Sequence, residues 1–316
     1  MIAGYASIAM LLAMLVVAGG PAQAQTNGNA TGLYSSALPK AGERIFIEPL
    51  VVKDADIDNQ ITLVPEFGGG YQDSHIFQDP FTIEKRLTGR FSLQIGTQYT
   101  ALFASHLQTS NFQFFSLQGK YMLYLDAPHE IMVSLIVKAL VPSQFGQIGQ
   151  DNPLTVYSYF VFNKGLGDLP WRLIRPFAVQ SDLAWIQPVG EGRQPLADYY
   201  GLSDFEQTFR FDVALEYSLL YLNDIVGVRV PSYLAQLTPA IEARELTNLA
   251  KNGYYGRTAG YISYELNYQT SWYQLSAAYQ QSFGPNAPFR GWNALLYYTY
   301  FYDDLLSRLG LDPTPW

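Results

Sequence analysis

Three aspartates at alternate positions, Asp54-x-Asp56-x-Asp58, open like a calcium loop. Such a loop then needs Gly at its sixth place and Glu at its twelfth. Those places hold Asn59 and Pro65, so the run is expected to be a solvated acidic turn ahead of the first strand. His75, His106 and His129 are scattered, with no i+4 partner and no carboxylate at metal-site spacing. No metal and no cofactor is expected. Ser105, His106 and Ser110 are the residue types of a hydrolase, which needs a base within reach of the nucleophile and a third group to orient it. Ser105 and His106 are adjacent and would face opposite ways on a strand, which defeats that pair. The run Gly68-Gly69-Gly70 is followed by no Lys-Ser/Thr and no helix, so it is not a phosphate loop. Its use is to let a strand bend or a neighbour approach closely.

The remaining charges fall into columns. Phe209, Phe211, Val213, Leu215, Tyr217, Leu219 and Tyr221 alternate with Arg210, Asp212, Ala214, Glu216, Ser218 and Leu220. Successive strand side chains point to opposite sides, so one face is apolar and the other wet and charged. The same alternation runs through Phe91 to Tyr99, Phe115 to Leu125, Ile131 to Lys138 and Trp272 to Gln281. In the 115–125 segment, Leu123 and Leu125 are expected on the apolar face and Tyr124 on the polar one. Helical periodicity does not produce such columns. On the polar side stand Glu66, Lys120, Lys138, Asp182, Arg210, Asp212, Glu216, Glu242, Arg244 and Glu265. If the strands close into a barrel, these ten line the lumen. There they either form ion pairs that fill it or border a water-filled path and set its charge preference.

The elements that must carry these columns are transmembrane β-strands. Charged residues are only 15% of the chain, against about a quarter in an ordinary soluble domain, while aromatics are also 15%, with 24 Tyr and 19 Phe. No apolar stretch after the first residues approaches the 18 or so that a spanning helix needs. A closed barrel is the other structure that satisfies every backbone polar group in lipid. Strands are expected near 60–72, 80–86, 90–104, 111–125, 129–141, 154–163, 174–187, 207–221, 236–246, 257–268, 271–283 and 291–302. The fold class is therefore all-β, an antiparallel transmembrane β-barrel of about twelve strands, within a range of ten to fourteen. Turns are expected at Asp126-Ala127-Pro128, Gly165-Leu166-Gly167-Asp168, Asn223-Asp224, Lys251-Asn252-Gly253 and Gly284-Pro285-Asn286. Tyr71, Tyr99, Trp185, Tyr221, Tyr268 and Trp272 sit toward strand ends, as interfacial aromatic girdles do. The longest gaps, about 142–153 and 188–206, are expected to be outer loops.

The first residues read as an export signal. The apolar run Ile8 to Val17 is followed by Gly19, Gly20 and Pro21, then by the small-x-small pattern Ala22-Gln23-Ala24. No Lys or Arg precedes that run, which departs from the usual pattern. The expected organisation is a signal peptide at 1–24, a flexible periplasmic leader at 25–44, the barrel at 45–306 and a tail at 307–316. The protein is thus expected in the cell outer membrane. Cysteine is absent, so no disulfide scaffold is available. A net charge of −8 argues against nucleic acid as a partner. The expected partners are outer-membrane lipid and lipopolysaccharide, the barrel-assembly machinery and a small-molecule solute.

The segments EKRLTGRFSLQIGTQYT (84–100), NKGLGDLPWRLIRPFAV (163–179), LTPAIEAREL (237–246) and YFYDDLL (300–306) carry a resemblance. They look like a group of poorly characterised Gram-negative outer-membrane β-barrels often labelled transporters, similar to the phenol meta-pathway outer-membrane family. The resemblance covers most of the chain from about residue 45. It implies a barrel, an outer-membrane location and solute passage, and it supplies no catalytic residues. No enzyme is expected. The function to be tested is passive or facilitated passage of a small solute. The alternatives are an outer-leaflet lipid hydrolase and a structural or adhesion barrel whose outer loops bind a partner.

Overall fold

The computed structural model describes residues 47–69, 74–104, 107–143, 153–190, 207–249, 256–270, 272–284 and 291–309. The expected signal peptide, the whole of the expected leader and most of the tail lie outside them. The strands are β1 (Gln60–Leu63), β2 (Glu66–Gly69), β3 (His75–Thr88), β4 (Phe91–Ala104), β5 (Leu107–Asp126) and β6 (Ile131–Pro142). They continue with β7 (Leu154–Gly165), β8 (Phe177–Val189), β9 (Thr208–Tyr217), β10 (Leu237–Asn248), β11 (Thr258–Gln269), β12 (Tyr273–Phe283) and β13 (Trp292–Phe301). Among the described residues, three short helices are α1 (Leu219–Asp224), α2 (Ser232–Ala235) and α3 (Asp303–Arg308).

Each strand from β3 to β13 pairs antiparallel with the next. Both β1 and β2 lie between β13 and β3, one above the other, so thirteen segments make a closed twelve-stranded barrel. Pro65 explains the split, since it has no N–H for the ladder. The ladder is carried across the gap by Val64 N–H donating to the Pro80 carbonyl and Leu296 N–H to the Pro65 carbonyl, at 3.1 and 3.0 Å. At the seam Tyr302 N–H donates to the Asn59 carbonyl (3.0 Å), and Asn59 Nδ2 to Asp303 Oδ1 (2.6 Å).

Because β1 begins and β13 ends at the same rim, this rim is the proximal end and the other the distal end. The gaps expected as outer loops both join strands at the distal end, and their central residues lie outside the described ones. At the proximal end the expected turn at Asn223-Asp224 is instead a two-helix connection, residues 218–236. The alternating pattern runs on to Tyr221, but Ser218 caps α1 by accepting from Tyr221 N–H, and the chain leaves the barrel after Tyr217. The expected turn at Asp126-Ala127-Pro128 is a single 3₁₀ turn closed by the Asp126 side chain on His129 N–H.

The outer face carries exposed Ile95, Phe160, Ile241, Leu266, Leu275 and Leu296, the apolar belt that a bilayer-spanning barrel presents. Aromatic pairs stand at both rims. Phe177 with Tyr217 and Tyr268 with Tyr273 are proximal, and Phe67 with Trp292 and Tyr99 with Phe112 are distal. One register expectation fails. A bulge between Met122 and Tyr124 turns both Leu123 and Tyr124 outward, and Leu125 comes inward to pack with Met132 and its neighbours.

Gly260 marks the closest backbone approach. A Cβ there would lie 1.8 Å from the Arg244 carbonyl oxygen. Gly260→Ala is expected to push β10 from β11 and cost about 1–3 kcal/mol. The check is a lower temperature for losing the folded band on unheated gel electrophoresis.

Candidate functional site in the barrel lumen

The lumen is occupied by the chain itself. Residues 47–59, just before β1, enter the barrel at its proximal end and are bound by side chains of the inner wall. Ile47 N–H donates to Glu216 (3.3 Å), and Glu48 exchanges a pair of bonds with the Gln274 amide, at 3.0 and 2.7 Å. The N–H groups of Leu50, Val51 and Val52 all reach the Glu242 carboxylate, each at 2.8 Å. Lys53 N–H donates to Asp182 (2.7 Å). Pro49 stands between these donors and has no N–H to satisfy. The segment's carbonyls are taken up in turn. Val51 accepts from Arg244 Nη2 (2.6 Å), Ala55 from Ser134 (2.6 Å), Asp56 from Lys120 and Ile57 from Arg86 Nε (2.9 Å). Side-chain partners thus replace the ladder that this backbone does not form, as buried N–H and C=O groups require.

This arrangement overturns the expected solvated acidic turn. Asp54, Asp56 and Asp58 are all buried, Asp58 at 2% exposure. Asp54 accepts from Asn163 (3.1 Å), and Asp58 pairs with Arg86 (3.9 Å). Their charge is tolerated because the inner wall supplies cations and amides, which no local spacing reveals.

All ten residues expected in the lumen lie on inward-facing positions, and the wall divides into two ion-pair groups. Across β8, β9 and β10, Arg210 lies 3.1 Å from Asp212 and 3.7 Å from Asp182. Arg244 reaches Asp212 at 2.7 Å through Nη2 and at 3.0 Å through Nε. Across β3 and β5, Lys120 pairs with Glu84 at 3.3 Å, and Glu84 also accepts from Ser92 (2.6 Å). Glu216, Glu242 and Glu265 form an acidic row on β9, β10 and β11. Glu66 accepts from Asn293, and Lys138 stands half-buried on β6. Gln274 stands on the polar column expected for 272–281, whereas Glu84, Arg86 and Gln180 lie outside the ten expected residues, although Glu84 and Arg86 share one face of β3.

The wall of β5 to β8 sets an apolar patch among the polar Lys120, Ser134, Asn163 and Asp182. Met122, Met132, Ile136, Leu140, Tyr157, Tyr159, Val161 and Ile186, on β5 to β8, point inward and pack around Ala55 and Ile57 of the inserted segment. The lumen is therefore amphipathic, with an apolar patch on β5 to β8 beside the acidic row. At the proximal mouth a cavity of about 370 Å³ opens beside Ile47 and Glu216, bounded by Arg175, Phe177, Tyr221 and Thr238. Glu130, held in the left-handed conformation (φ 53°), staples this rim together. Its carboxylate accepts from Gly167 N–H (2.9 Å) and from the Tyr221 hydroxyl (3.1 Å). Burial, and then the Glu130 carboxylate, push the Tyr221 phenol above its ordinary range.

The other candidates do not assemble. His75 stacks on Phe67 at 5.8 Å, and His129 sits exposed against Asp126. Ser110 lies exposed on β5, while Ser105 and His106 fall outside the described residues. Among the described residues no group of His, Asp and Glu is arranged to hold a metal. Gly68 is tightly faced, since a Cβ there would meet the Asn293 side chain at 2.5 Å.

Fold and lumen together define a class, the closed twelve-stranded antiparallel barrel of porin-like outer-membrane proteins, here with its own chain inside. An outer membrane channel from Pseudomonas putida F1 is similar in structure over 81% of this chain and 99% of its own, at 14% identity and a TM-score of 0.52. The KdgM porin and the NanC porin each align over 76% of this chain and 98% of theirs, at 9% and 10% identity and TM-scores of 0.46 and 0.47. At these identities the likeness is one of fold. No family model matches the sequence, and no curated protein does.

Proposed function

We propose that this protein is an outer-membrane channel for passive or facilitated passage of a small solute, closed by its own segment 47–59. The observation that carries the reading is the wall itself. Its inner face carries charged and amide side chains, and the material filling it is a single stretch of chain without secondary structure, tied by hydrogen bonds. A plug of that kind leaves without unfolding the barrel, whereas a lumen filled by wall side chains does not open. The proximal end faces the periplasm, where both chain ends of the barrel lie. Residues 1–24 are the export signal, and the apolar belt meets outer-membrane lipid and lipopolysaccharide after delivery by the barrel-assembly machinery. The resemblance to the phenol meta-pathway outer-membrane family supports the same reading, as does a lumen with both an apolar patch and a polar wall.

Purified protein in planar bilayers is expected to give discrete conductance steps in potassium chloride. A silent membrane, with the barrel shown to be folded by its heat-dependent gel mobility, contradicts the proposal.

A further inference from the structure

The two signs of charge on the inner wall are not neutralised alike. Arg86, Lys120, Arg210 and Arg244 each meet a carboxylate, in Asp58, Glu84, Asp182 or Asp212. Glu216 and Glu242 instead meet donors that carry no charge. Ile47 N–H and the Gln180 amide serve Glu216, and the N–H groups of Leu50, Val51 and Val52 serve Glu242. Glu265, only 6% exposed, accepts from Ser263 through Oε1 (2.8 Å), and its carboxyl group lies within hydrogen-bonding reach of the Glu242 carboxyl and of Leu50 N–H. These three carboxylates stand on adjoining strands, and one of them, Glu216, borders the 370 Å³ proximal cavity. Arg175 on the cavity's rim has its Nε committed to the Leu169 carbonyl (2.7 Å).

The inserted segment shows what this lumen binds. It offers hydrogen-bond donors to the acidic row and apolar side chains, Ala55 and Ile57, to the apolar patch on β5 to β8. The aromatic rings inside the barrel already take cations on their faces. The Arg210 guanidinium lies 5.0 Å from the Tyr159 ring centre, and that of Arg244 lies 5.5 Å from Tyr261. Anything that replaces the segment must satisfy carboxylates and cover apolar wall together.

We propose that the permeating solute is an organic cation, an ammonium group on an apolar body. Glu216, Glu242 and Glu265 receive the ammonium group, and the apolar patch receives the body. The assignment rests on the channel reading above. When the segment withdraws, its neutral donors leave the row of carboxylates and its Asp58 leaves Arg86, so the acidic groups that lose partners outnumber the cation that does. A protonated amine restores the lost hydrogen bonds and adds charge complementarity, whereas a carboxylate of the same shape is repelled.

The test compares benzylammonium with benzoate, matched in size and opposite in charge, using the full mature chain in planar bilayers. Reversal potentials under gradients of benzylammonium chloride and of sodium benzoate give each permeability relative to its counter-ion. Benzylammonium is expected to pass about tenfold more readily than chloride, which corresponds to about 1.4 kcal/mol. Benzoate is expected to carry almost no current. Glu242→Gln should bring the ratio toward unity, and Glu265→Gln provides a second variant should the first fail to fold. The readout is the ratio, because loosening the segment alone raises total current without changing selectivity. Equal passage of benzylammonium and benzoate through a protein that conducts potassium chloride overturns the cation assignment and leaves the channel intact. Absence of any conductance overturns both.

Discussion

Deleting residues 47–58 should turn a mostly closed barrel into an open one. The segment is held by carboxylate-to-N–H bonds from Glu216, Glu242 and Asp182, and by wall donors on its carbonyls. Even two charge-assisted bonds of ~1.5 kcal/mol each keep the segment in place about 99% of the time, so its deletion raises mean conductance roughly a hundredfold. The deletion also removes the buried side chains of Val51, Val52, Ala55 and Ile57. Thermal stability should therefore fall while the barrel still forms, since every barrel strand and its register lies outside the deleted stretch. Current traces before and after deletion check the first effect, and heat-dependent gel mobility checks the second. Unchanged conductance would mean that another constriction closes the path.

The second large effect is expected at Asp212, which is fully buried and shared by Arg210 and Arg244. Asp212→Ala leaves two guanidinium groups in the wall with one fewer carboxylate between them. Breaking a buried pair by removing one partner costs about 3–5 kcal/mol, because the surviving charge has lost its water without keeping its partner. A matched loss should appear in urea unfolding of the protein in detergent micelles. Replacing Arg244 as well, in Asp212→Ala with Arg244→Met, should recover part of it. A loss below about 1 kcal/mol would place Asp212 with surface pairs that contribute little.

The contrast between what the sequence reveals and what it conceals follows from how the two parts are bonded. A barrel strand joins its neighbours through backbone ladders, and its side chains must then alternate between lipid and lumen. Phe209 to Tyr217 therefore announces itself residue by residue, and the inward positions of Arg210, Asp212 and Glu216 follow from parity alone. The same rule misleads where parity changes. The bulge at Leu123 shifts Tyr124 outward, and the helix at Leu219–Asp224 continues an alternating pattern after the strand has ended. The inserted segment has no ladder and no period, so nothing in Ile47 to Asn59 signals it. Its backbone groups bond to Glu242, Asp182, Lys120 and Arg86, 29 residues away in sequence at the nearest. The apolar inward faces of β5 to β8 are a signal in retrospect. Met132 and Ile136 on the expected wet side make sense once Ala55 and Ile57 pack there.

If passage requires the segment to leave the lumen, pinning the segment to the wall must silence the channel. The sequence has no cysteine, so a pair can be introduced without competition, as Ala55→Cys with Ser134→Cys, where the native Ser134 hydroxyl lies 2.6 Å from the Ala55 carbonyl oxygen. Single-channel recording of this variant, first oxidised and then reduced in the same bilayer, tests the claim directly. Silence is expected while the disulfide holds the segment to β6, and conductance steps when reductant is added. Equal current in both states, with the disulfide verified by mass, would show that solutes pass without moving the segment and would contradict the account.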